Sequence, residues 1–143
     1  MLNFFFEDVD EIEFDSNLYT SWINEVCLLE FKELSEVNLV FCSDEYLYDM
    51  NVQHLNHDYF TDIITFDYCV DKQIIGDLFI SIDRVSDNAV SFSVPFFEEL
   101  NRVIIHGVLH LCGYKDKTDV DIKVMRSKED LYISKIVSRE TFD

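Results

Sequence analysis

His106 and His110 stand four residues apart in a run, Val103 to Gly113, whose other members are all apolar or Gly, and Asp116 follows shortly after Gly113. An α-helix repeats every ~3.6 residues, so positions i and i+4 share a face and both imidazoles can reach one cation. Gly113 has the character of a helix stop, and the turn behind it can return Asp116 as a third ligand. Three N/O donors with one position open is how catalytic zinc is held, whereas structural zinc is usually closed by four ligands. Two core histidines satisfied by backbone groups would be the plainer account. A helix apolar all round offers two such rings no polar neighbours, and a metal satisfies both. Gly107 and Val108 lie where the H-E-x-x-H motif needs its glutamate base, which weakens a peptidase reading. A glycine beside the first ligand also permits close approach of another backbone or a substrate.

The run HGVLHLCGYKD, with Met125-Arg126 and Glu129 behind it, resembles the YbeY family of metal-dependent, single-strand-specific endoribonucleases of rRNA maturation and ribosome quality control. The resemblance extends over Asn51 to Phe66, ending in Thr61-Asp62-Ile63-Ile64-Thr65-Phe66, and over Gly76 to Ser81, in all roughly residues 45 to 130. It implies one zinc ion per chain on His106, His110 and Asp116, single-stranded RNA or rRNA and the ribosome as partners, and the family's fold. The chain departs from the family's commoner pattern twice: Asp116 stands where a third histidine is usual, and Leu55 where the loop carries an arginine. Asp is a competent zinc ligand. The arginine is the natural clamp for phosphate, so its absence bears on the activity more than on the metal.

Elements that could position these residues alternate along the chain. Leu2 to Phe6 has the pattern of a strand. A helix starting near Asp15 to Asn17 carries the apolar face Leu18, Trp22, Ile23, Val26 and Leu29 to Phe31. Val37 to Cys42 is β-rich, Glu45 to about Asn51 is helical, and His54 to Tyr59 is a polar loop. Strands at Ile63 to Tyr68 and Ile74 to Ile82 join through Asp71-Lys72 as a hairpin. Asp83 to Ala89 is a short helix at most. Pro95, Glu98 and Glu99 open the metal-bearing helix, with proline and acids in its first turn. Thr118 opens a last helix, to about Arg139, whose stripe is Ile122, Met125, Tyr132 and Ile136. The expectation is one α+β domain over residues 1–143, a small mixed sheet of about four strands covered by helices, with the metal-bearing helix central.

The composition fits that size: 143 residues, 48% hydrophobic, with three Gly and one Pro, suit one core and few long loops. No basic segment precedes an apolar run at the N-terminus and no apolar stretch reaches ~18 residues, so a cytoplasmic protein without a membrane partner is expected. Cys27, Cys42, Cys69 and Cys112 are scattered and lack C-x-x-C spacing, as reduced and buried thiols would be.

Charge is uneven. Residues 102–143 hold eight of eleven Lys and Arg against seven acids, and residues 1–101 hold three against twenty-two, for a net charge of −18. That excludes a broad nucleic-acid surface, and DNA is not an expected partner. RNA must be gripped locally, and Lys115, Lys117, Arg126 and Lys128 are the candidates. Thr65, Ser81 and His57 could contact substrate, His54 or His57 could supply a ligand, and Arg126 could brace the site through Glu129. The chemistry expected is zinc-assisted phosphodiester cleavage, with His106 and His110 as the catalytic metal holders. A zinc hydrolase acting on an amide or ester, and a non-catalytic ribosome-associated module with a structural metal, fit the same residues.

Overall fold

The computed structural model describes residues 1–57 and 59–142, the side chains of 139–142 excepted; Asp58, within the loop expected from the sequence, lies outside the described residues. The elements run β1 (Leu2–Phe6), α1 (Ser16–Leu29), β2 (Glu33–Cys42), α2 (Asp44–Leu55), β3 (Ile63–Asp67), β4 (Gln73–Ser81), α3 (Ile82–Phe92), α4 (Phe96–Leu111) and α5 (Asp119–Phe142). The four strands form one sheet in the order β1-β2-β4-β3. β1, β2 and β4 are mutually parallel and β3 is antiparallel to β4, so the expected mixed sheet and its hairpin are both present. Asp71 takes a positive φ of 55° in the tight connection, where Val70 and Gln73 bridge.

One face of the sheet buries Val37, Leu39 and Phe41 of β2 and Ile74, Leu78 and Ile80 of β4 beneath α1, α4 and α5. The other face carries a smaller cluster of Cys42, Leu47 and Ile64 under α2. α4 is the central helix, with Val103, Ile104, Ile105, Val108 and Leu109 all buried. Gly107 allows its close approach to the sheet, since a Cβ there would stand 2.7 Å from Ile63 Cδ1 and 3.0 Å from Leu78. The glycine beside the first histidine therefore serves packing against β3 and β4.

Several boundaries differ from those the sequence suggests. α3 spans 11 residues: Ser81 caps it by accepting the Arg84 N–H at 3.1 Å, and the i,i+4 pair Val85 and Ala89 is its buried stripe. Ser81 is fully buried in that role, so it does not face substrate. α2 runs to Leu55, started by the Ser43 cap and ended by left-handed Asn56, which puts His54 in its last turn. β2 begins at Glu33, earlier than its β-rich centre, because Glu33 and Leu34 pair with Gln73 and Ile74 at the start of β4. α1 ends at Leu29, and Phe31, with φ 61°, is 82% exposed and outside the core. Ile122 is likewise exposed, while Met125, Tyr132 and Ile136 are buried as expected. Cys27 and Cys42 are buried; Cys69 and Cys112 are half-buried, and all four are free.

Glu30, at the C-cap of α1, ties three parts of the chain together. It accepts the Tyr114 hydroxyl at 2.6 Å, the Tyr132 hydroxyl, and the Lys128 ammonium at 3.2 Å. Burial pushes its carboxyl up, but these donors outweigh burial and leave it below the ordinary glutamate value. Its contribution to stability is therefore fully present above the unfolded value of ~4.3 and is lost as pH falls through the lower folded value. Glu30→Ala should cost about 1–3 kcal/mol in urea unfolding at pH 7, with the gap to the parent closing at low pH. A gap independent of pH would show that the carboxylate charge is not what these donors hold.

Candidate metal centre

α4 presents His106 and His110 on one face, rings 4.6 Å apart between centroids and nearly perpendicular. Each Nδ1 has a fixed partner. His106 Nδ1 donates to Glu129 Oε2 at 2.7 Å, and His110 Nδ1 donates to the Tyr114 carbonyl at 2.9 Å. Both partners are acceptors only, so in the neutral rings the proton sits on Nδ1 and Nε2 keeps its lone pair. The two Nε2 atoms then face each other at 3.0 Å, and Asp116 Oδ2 lies 3.2 Å from one and 3.3 Å from the other. Three lone-pair donors converge on one point, and a cation is what such a set accepts.

The dimensions fit zinc: donors ~2.0–2.1 Å from a tetrahedral ion stand ~3.3 Å apart. His106, His110 and Asp116 could thus hold a metal ion. Asp116 reaches the site because Gly113, at φ 107°, turns the chain out of α4. Tyr114 then locks the turn, with its carbonyl on His110 and its hydroxyl on Glu30.

Behind His106 stands a support whose arginine sequence reasoning missed. Glu129 is only 5% exposed and accepts Arg102 Nη1 at 2.9 Å as well as the His106 ring; Arg102 also reaches Asp130 at 2.8 Å. Arg126 stands at 3.5 Å from Glu129 and is the looser contact, so the brace expected of it falls mainly to Arg102. Arg102 lies four residues before His106, and that spacing was the available signal. Burial opposes the charged form of His106, yet Glu129, Asp116 and Asp62 outweigh it and raise its pKa. Burial opposes the Glu129 carboxylate as well, and His106 and Arg102 overcome it to lower that pKa. A metal therefore competes with a proton for the His106 ring.

Two clefts meet at the triad. One is lined by Phe92, Glu99, Arg102, Ile122, Arg126 and Glu129, the other by Leu55, His57, Tyr59, Thr65, Lys115 and Lys117. Asp62, Ile63, His106 and Asp116 are common to both. Burial raises the Asp62 carboxyl at this junction. Of the candidates named from sequence, Thr65, His57, Lys115 and Lys117 share one cleft and Arg126 lines the other; His54 lines neither, and Lys128 is engaged by Glu30.

Purified without chelator, the protein should carry one divalent metal per chain by elemental analysis. Loss of a ligand through Asp116→Ala should lower metal affinity at least 10-fold, and Asp116→His should restore most of it, imidazole being an equally good zinc donor. Glu129→Gln, which leaves the shape but weakens the hold on His106, should cost ~10–100-fold in affinity. Full metal content in both His106→Ala and His110→Ala would place the ion elsewhere.

Comparison with known proteins identifies the family. The family model described as Endoribonuclease YbeY matches residues 5–137. A Flavobacterium johnsoniae protein named endoribonuclease YbeY is 52% identical over 130 residues, covering 91% of this chain and 93% of its own. A Karelsulcia muelleri protein of the same name is 44% identical over 133 residues, covering 93% and 94%. The solution structure of a Thermotoga maritima protein aligns with a TM-score of 0.71 at 26% identity, covering 99% of this chain and 92% of that one. With its triad, its fold and a match over almost its whole length, this chain belongs to the YbeY endoribonuclease family.

Proposed function

We propose that this protein is a zinc-dependent endoribonuclease that cuts single-stranded RNA in the cytoplasm, in rRNA maturation and ribosome quality control, as one domain over residues 1–143. The observation that carries the reading is the convergence of His106 Nε2, His110 Nε2 and Asp116 Oδ2, each within 3.3 Å of the others, at the meeting point of two solvent-open clefts. Among the described residues no helix is long and apolar enough to cross a membrane.

His106, His110 and Asp116 would hold the zinc. When bound, zinc supplies Lewis acidity: it polarises a phosphoryl oxygen and acidifies water. The rest falls to the protein's own groups. Glu129 and the Tyr114 carbonyl keep both rings in the tautomer that presents Nε2. Lys115 and Lys117 flank Asp116 on its loop and take the phosphates on either side of the scissile one; no described ion pair engages either lysine. Thr65 and His57 complete that wall, and Arg126 serves the other cleft. With a net charge of −18, such a grip has to be local.

A second reading has one observation behind it. β3 is an edge strand among the described residues and runs beside the triad, and an unpaired edge can take an extended peptide. Single-stranded RNA, peptide and ester substrates assayed side by side, with and without chelator, separate the readings. The nuclease reading expects chelator-sensitive cleavage of RNA alone. Charge reversal of Lys115 and Lys117 together should flatten the dependence of log affinity on log salt by about 1.4, at ~0.7 per phosphate contact on a single strand. Reversal of Lys32 and Lys72 should leave that slope unchanged, and equal effects from both pairs would contradict a grip near the metal.

A further inference from the structure

The cleft that holds Lys115 and Lys117 also carries an aromatic surface that metal chemistry leaves unused. The rings of His57 and Tyr59 are stacked, 5.2 Å between centroids and 20° from parallel, with the Tyr59 hydroxyl and His57 Nδ1 in hydrogen-bond contact at 2.9 Å. Tyr59 is 53% exposed and His57 is exposed. Both line the cleft that runs to His106, His110 and Asp116.

The backbone that presents these rings is anchored from beneath. Asn51, buried in α2 at 1% exposure, accepts the His57 N–H on its main-chain carbonyl at 3.0 Å and donates its side-chain amide to the Tyr59 carbonyl at 2.9 Å. Asn56 takes the left-handed conformation that turns the chain out of α2 toward the cleft. Asn51 thus holds the backbone of both residues, His57 through its main-chain carbonyl and Tyr59 through its side-chain amide, while their rings face solvent. That costs hydration of apolar surface and returns nothing to the core.

We propose that the His57–Tyr59 pair is a nucleobase shelf, on which one unpaired base of the RNA stacks while Lys115 and Lys117 hold the phosphates beside it. The proposal rests on the single-strand nuclease reading and adds to it the way an unpaired base is chosen. Every base has a π-face, so a shelf of this kind is tolerant of sequence. In a duplex both faces of a base are covered by its neighbours, and the groove edges offer an aromatic ring nothing to stack on. The shelf therefore discriminates by strandedness. Its place in the same cleft as the lysines and the triad puts it within a few nucleotides of the cut. The cleft, about 720 Å³, is of a size that takes a small-molecule-sized group such as a base.

The test is a double cycle on the zinc-loaded protein. Tyr59→Ala removes the ring but keeps the carbonyl that Asn51 holds, and Tyr59→Phe keeps the ring but loses the hydroxyl. Each is paired with a series of short single-stranded RNAs carrying one abasic nucleotide at successive positions. Tyr59→Ala should raise KM about 10-fold with kcat nearly unchanged, and Tyr59→Phe should stay close to the parent. One abasic position should raise the parent's KM by a similar factor and have no further effect in Tyr59→Ala. A parental KM in Tyr59→Ala, or losses that multiply at every abasic position, would overturn the shelf while leaving the nuclease reading intact. A parent that cleaves none of the intact RNAs would overturn that reading, and the shelf with it.

Discussion

The structure turns on two imidazole Nδ1 protons that are already spent. Glu129 takes one and the Tyr114 carbonyl takes the other, which leaves the Nε2 lone pairs of His106 and His110 facing each other at 3.0 Å with a carboxylate oxygen beside them. Without a cation that arrangement is repulsive unless a proton intervenes; with one it is a pre-formed ligand set. The surrounding architecture serves this constraint. Gly107 seats α4 on the sheet, α5 delivers Glu129, and Gly113 with the Glu30 anchor brings Asp116 round. A change in any of these supports acts on the metal through ring orientation, as neighbours of metal ligands generally do.

The metal-bearing helix could be read from the sequence because its signal is local: an i,i+4 pair on an apolar background, a glycine stop, and acids behind a proline. The strands were legible for the same reason. Contacts distant in sequence were not. Glu30 meets Tyr114 across 84 residues and Tyr132 across 102, and nothing in its own neighbourhood marks it. Arg102 was half legible, since its spacing from His106 is visible while its partner Glu129 sits 27 residues away on another helix. α3 was legible as a short helix over Asp83 to Ala89 but not in its full length, Ile82–Phe92, because its start is set by the Ser81 cap and its end by left-handed Ser93, not by the apolar pair Val85 and Ala89. His54 was placed in the loop with His57, but the Ser43 cap and the left-handed Asn56 carry α2 one turn further and leave only His57 in the cleft.

A chain of net charge −18 acting on a polyanion has to confine attraction to one place. Here Lys115 and Lys117 border Asp116, the candidate third donor, Arg102 and Arg126 line the adjoining cleft, and most of the acids described in the first hundred residues are exposed. Substitution of Leu55 for the arginine expected in the family leaves that wall of the cleft apolar, next to the exposed rings of His57 and Tyr59. In the proposed function the grip on substrate is accordingly divided between a few cations and a stacking surface.

The central claim is the identity of the three donors, and X-ray absorption at the zinc edge of the zinc-loaded protein tests it most directly. The account predicts two imidazole nitrogens and a carboxylate oxygen at ~2.0–2.1 Å, a further light-atom ligand from solvent, and loss of one imidazole contribution in His110→Ala. A sulfur at ~2.3 Å, or an unchanged spectrum in His110→Ala, would contradict it.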